Sequence, residues 1–166
     1  YPQATGVTTN GRELDPNFEP TLPRMMKAAG YHTVQVGKLH FQSHEDHDLD
    51  PRARQDYGFH VFQVSEEPGC YEDAYRTWLR TEHPEWVQTF TVGRPGSKER
   101  AREARTFKVL QAPWQCSHSG WVAHQTCNHL NSGRENQFIH AGFYAPHPPL
   151  NPTWEMFEPY RDIEIP

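Results

Sequence analysis

The chain has 166 residues, 35% of them hydrophobic and 13% aromatic, enough for one domain with a sizeable core. Sixteen basic residues stand against 21 acidic ones, a net charge of −5, and no run approaches the ~18 apolar residues of a membrane helix, so a membrane span is excluded. Three cysteines, Cys70, Cys116 and Cys127, make an odd count; this argues against a disulfide scaffold and favours a reducing, cytoplasmic compartment.

From the first residue, Tyr1 to Pro20 reads as loop, with Asn10-Gly11, Asp15-Pro16 and Glu19-Pro20 as turn signals. Thr21 is an N-cap and Pro23 sits in the first turn of a helix. Leu22, Met25, Met26 and Ala29 recur at helical spacing, which predicts an apolar face, and Gly30 stops the helix. Tyr31 to Val36 is rich in Tyr, Thr and Val and predicts a strand, followed by the polar stretch Gly37 to Phe41. His40 to Tyr57 is a polar loop. Phe59 to Val64 predicts a second short strand. Tyr71 to Arg80 predicts a helix with Tyr71, Tyr75, Trp78 and Leu79 on one face. Arg94 to Lys108 carries six basic residues and reads as a solvated helix laced by ion pairs with Glu99 and Glu103. Ser117 or Ser119 caps a helix running to about Leu130, with Trp121, Val122, Thr126, His129 and Leu130 near one face. Gln137 to Tyr144 is a further strand, and the prolines of Ala145 to Pro149 cannot continue its ladder. Two helix–strand–polar loop units around a long charged segment predict a mixed α/β domain.

Lys38 and His40 lie just past one strand, and His147 lies at the matching end of another. If those strands are parallel neighbours, one fixed cation and two switchable proton carriers converge on one crevice, a setting suited to phosphoryl or sulfuryl transfer. The plainer reading is a surface lysine and two loop-capping histidines. His40, His44 and His47, with Glu45, Asp46 and Asp48, lack a metal-ligand spacing and read as a solvated acidic loop. Cys116, His118, His124, Cys127 and His129 do not close a zinc site, and Cys127 reads as a small buried core residue. The acidic balance and the absence of interleaved aromatics in the basic stretch argue against nucleic acid.

Gly30-Tyr31-His32-Thr33-Val34-Gln35-Val36-Gly37-Lys38-Leu39-His40-Phe41 resembles the sulfatase signature of a Gly-Tyr-x-Thr strand followed by Gly-Lys-x-His. Gly142-Phe143-Tyr144-Ala145-Pro146-His147-Pro148-Pro149 resembles the later Pro-His-x-Pro segment of that family. Tyr1 to Asn10 resembles the tail that follows its nucleophile motif. Gly58 to Leu79, with Ser65-Glu66 and Asp73-Ala74-Tyr75, resembles the bacterial branch that includes choline sulfatases, arylsulfatases and phosphonate monoester hydrolases.

The resemblance implies an alkaline-phosphatase-like α/β fold, a mixed sheet flanked by helices, in an incomplete form. It reads residues 1–166 as a partial sulfatase catalytic domain, with 42–116 as a largely loop and helix insertion between core strands. It implies hydrolysis of a small-molecule sulfate ester by a formylglycine nucleophile with a divalent cation, calcium, in the parent enzyme. Lys38, His40 and His147 would be catalytic, and Asn10, Lys38 and His147 would contact the substrate. The nucleophile motif and the metal carboxylates are not in this sequence, so the chain alone is expected to be inactive and metal-free. A phosphonate or phosphate diester hydrolase of the same superfamily, or a non-catalytic binding module, are the alternatives.

Overall fold

The structure, a computed structural model, describes residues 1–9, 12–41 and 56–164. Three strands form one parallel sheet in the order β2-β1-β3: β1 is His32–Gly37, β2 is Val61–Val64 and β3 is Gln137–Gly142. The strands predicted around Val34 and Ile139 are therefore parallel neighbours, with Val34 opposite Ile139. This is a mixed α/β architecture with a parallel sheet flanked by helices.

Five of the six residues of β1 are buried, as a central parallel strand covered on both faces requires. On one face Val34 and Val36 pack beneath two helices, α3 (Ala74–Glu82) and α5 (His118–Leu130), through Tyr75, Leu79, Trp121 and Val122. On the other face Leu14, Tyr57 and Phe59 gather Phe41, Phe62 and Phe138. Thr33 and Gln35 are polar on that buried face, and both are satisfied. The Thr33 hydroxyl donates to the Gly58 carbonyl at 2.9 Å, and the Gln35 amide donates to the Gly37 carbonyl at 2.8 Å.

The helix starts follow their caps. Asp73 accepts from the Arg76 amide and starts α3 three residues later than the periodicity predicts, which leaves Tyr71 outside the helix beneath Arg94. Ser117 accepts from the Gly120 amide and starts α5 as predicted. The helix α2 (Leu22–Ala28) ends in a Schellman motif, with Tyr31 N–H on the Met26 carbonyl and Gly30 N–H on the Lys27 carbonyl, both 3.0 Å.

Several expectations are corrected. Pro2–Thr5 forms a single helical turn, α1, inside the predicted loop. The predicted apolar face of α2 is largely the outer one: Leu22 is 58% and Met25 56% exposed, whereas Pro23 is buried, Arg24 packs against Gly58 and the Thr21 hydroxyl donates to the Tyr57 carbonyl at 3.1 Å. Cys127 is exposed, while Cys70 and Cys116 are the buried thiols; all three are free. The basic stretch is helical only over α4 (Lys98–Glu103), and beyond it the chain runs extended, with Phe107 and Leu110 bridged to Leu150 and Thr153. The last helix, α6, is Trp154–Phe157. Among the described residues no helix is long and apolar enough to cross a membrane.

Candidate functional site

A parallel sheet puts the carboxyl ends of all its strands on one side, where ligands of open α/β sheets bind. Three loops meet there: Lys38 to His40 after β1, Ser65 to Glu67 after β2, and Phe143 to His147 after β3. The backbone ties them together. Lys38 N–H donates to the Gly142 carbonyl at 2.8 Å, and Ser65 N–H donates to the Gly37 carbonyl at 3.1 Å. Only glycine permits this closeness, since a Cβ on Gly142 would sit 1.9 Å from the Lys38 carbonyl oxygen.

The Lys38 ammonium donates to the Glu66 carbonyl at 2.9 Å, lies 3.6 Å from the Glu67 carboxylate and sits over the Tyr144 ring, 5.0 Å from its centre. His40 turns at φ 62°, and its N–H donates to the Glu66 carboxylate at 2.7 Å. Desolvation, and after it the Lys38 charge, pushes the His40 imidazole below its ordinary pKa, so it is neutral at pH 7 and able to take a proton. His147 is exposed; its ring centre is 4.7 Å from that of Tyr144, and Nδ1–H donates to the Pro148 carbonyl at 2.8 Å, which makes Nε2 its remaining polar atom. Lys38 and His147 therefore both contact one phenol ring, and His40 lies within electrostatic reach of each. The structure brings together the three residues singled out in the sequence. Asn10, and the histidines and acids of the loop at His44 and His47, lie outside the described residues.

The sequence did not reveal what holds this corner. Glu67 and Arg100 form a buried ion pair at 2.6 Å. The same Arg100 nitrogen donates to the Tyr144 hydroxyl at 2.7 Å and to the Pro148 carbonyl at 3.2 Å. The Tyr144 hydroxyl is within 2.8 Å of Glu67 and 2.7 Å of the Pro148 carbonyl. Arg100 thus reaches from α4 to the loop that carries His147. In the sequence it is one more basic residue on a helix expected to be solvated. The available signal was the acidic pair Glu66-Glu67 directly after a strand, matching the place of Lys38. Burial pushes the Glu66 carboxyl up, opposed chiefly by the His40 N–H.

Among the described residues no three His, Cys, Asp or Glu side chains gather to hold a metal ion, so these residues do not fit the divalent cation that the resemblance implies. The Cys70 thiol donates to the Gly93 carbonyl at 3.2 Å and is pushed up to about 12, chiefly by burial, so it is no activated nucleophile.

No family model matches the chain. It is 24% identical to an arylsulfatase of Clostridium perfringens, over 90% of this chain and 31% of that protein. Its fold is similar to that of the phosphonate monoester hydrolase of Agrobacterium radiobacter, with a TM-score of 0.60 and 21% identity, over 93% of this chain and 31% of that one. The chain spans about a third of the length of either relative. The likeness is at the level of the superfamily: an alkaline-phosphatase-like α/β architecture shared by the sulfatase and phosphonate hydrolase branch.

Proposed function

We propose that the corner formed by Lys38, His40 and His147 binds the tetrahedral oxyanion group of an ester, in a hydrolase of phosphonate or phosphate esters. The observation that carries the reading is the contact of both Lys38 and His147 with the Tyr144 ring, at the carboxyl ends of adjacent parallel strands. Lys38 supplies a fixed positive charge for the oxyanion. His40, neutral at pH 7, accepts a proton, and the imidazolium form of His147, its Nδ1–H held by the Pro148 carbonyl, gives its Nε2 proton to the leaving oxygen. The fold likeness to a phosphonate monoester hydrolase supports this substrate class. Sulfate esters are the second reading, favoured by the arylsulfatase likeness. In its finer form the proposal includes a formylglycine nucleophile and a divalent cation such as calcium in the full-length protein.

The test is a paired assay of the full-length protein and its Lys38→Ala variant with an aryl phosphonate monoester and an aryl sulfate. Loss of this one charge-assisted contact is expected to lower turnover about 10²–10³-fold on the preferred ester. Turnover unchanged by the substitution would overturn the role given to Lys38. Chelation followed by calcium restoration tests the finer form, with activity expected to fall and return. Oxyanion binding without turnover of either ester would indicate a non-catalytic module.

A further inference from the structure

We infer that the apolar cavity beside the oxyanion corner receives the alcohol half of the ester, and that this half is an uncharged aryl or alkyl group. The inference rests on the hydrolase reading above. The cavity measures about 350 Å³, near the lower end of small-ligand sites and enough for one or two fused rings. Tyr75, Phe90, Phe107, Leu110, Leu150 and Met156 form its walls. Tyr144 and His147 line it too, so it opens directly onto the corner where the leaving oxygen would stand.

Charge decides the kind of group. Among the described residues no Asp, Glu, Lys or Arg lines the cavity. Its buried imidazole, His118, is held neutral: desolvation, with the Lys38 charge second, takes it down to about 3. A quaternary ammonium could use aromatic walls, but the Lys38 ammonium already lies over the Tyr144 ring and would repel a second cation. Phe107 and Leu150, paired backbone to backbone, are both well exposed, which leaves apolar surface for a ring to cover.

The experiment is calorimetric titration of the full-length protein with sulfonates, whose C–S bond resists hydrolysis. The probes are methanesulfonate, naphthalene-2-sulfonate, 2-(trimethylammonio)ethanesulfonate and, separately, 2-naphthol. Naphthalene-2-sulfonate is expected to bind roughly 10- to 100-fold tighter than methanesulfonate, from burial of ring area, and the cationic sulfonate no tighter than methanesulfonate. Met156→Trp, which fills the cavity from its rim, is expected to erase the naphthyl advantage and leave methanesulfonate unchanged; Leu150→Trp repeats the test from another wall. A cationic sulfonate that binds as tightly as naphthalene-2-sulfonate, or a naphthyl advantage surviving both variants, would overturn the inference. Methanesulfonate binding with no gain from the naphthyl ring would sink the inference alone. Binding of 2-naphthol with no methanesulfonate binding would sink the oxyanion reading, and the assignment of the cavity to an ester with it.

Discussion

His118 and Asp73 are both buried, and pH acts on them in opposite directions. The His118 pKa of about 3 lies below its ordinary 6.5, so the unfolded chain takes up the proton first on acidification. Stability from the neutral ring is complete above about 6.5 and is lost as pH falls toward 3. Asp73 is raised to about 7 from 3.8, chiefly by burial, although it accepts from Ser65 and the Arg76 amide. Its neutral form contributes stability that is complete below 3.8 and is lost as pH rises through 7. His118→Phe keeps the aromatic contacts with Tyr75 and Trp121 and is expected to flatten the acid limb of stability against pH. Asp73→Asn keeps a cap acceptor and is expected to flatten the fall between pH 4 and 7. Urea midpoints measured at each pH check both, and profiles parallel to the parent's would contradict the assignments.

β1 and β3 approach each other closely at Gly37, Lys38 and Gly142. Gly142→Ala drives a methyl group into the Lys38 backbone, and overpacking of this kind costs about 1–3 kcal/mol or more. A lowered denaturation midpoint together with weaker oxyanion binding is expected, because Lys38 moves with that backbone. Legibility in the sequence followed from locality. The strands at Val34 and Ile139, the cap at Ser117 and the stop at Gly30 are written in a few adjacent residues, and the structure has them. The approach of Lys38 to His147 was legible only on the condition that their strands are parallel neighbours, which the repeated helix–strand–loop units suggest and the sheet meets. The outer face of α2 did not: spacing shows that Leu22 and Met25 share a side, whereas the side that is packed carries the buried Pro23 and the Arg24 that rests on Gly58. Arg100 was illegible for a similar reason. Its partners Glu67, Tyr144 and Pro148 lie 33 to 48 residues away, and nothing beside it in sequence distinguishes it from Arg102.

Across the whole molecule, Arg100 joins the segment between β2 and α5 to the loop bearing His147. Arg100→Met keeps much of the side-chain volume but leaves the Glu67 carboxylate buried without its strongest partner, a loss of about 3–5 kcal/mol in comparable pairs. Adding Glu67→Gln is expected to recover part of that loss, a coupling that a double-mutant cycle with chemical denaturation reads directly. The order β2-β1-β3 also bears on how the protein comes to be folded. Both pairings of the central strand are parallel, and the contacts that join β1 to β3 span long stretches of chain, up to the 105 residues between Gln35 and His140. Loops of that length must close before any such contact repays the lost chain entropy. The corner therefore assembles late, after the local helices and turns, and β1 must wait for a partner synthesised about a hundred residues after it. During translation, an early-emerging Val34 strand stays unpaired on one side until Ile139 has left the ribosome.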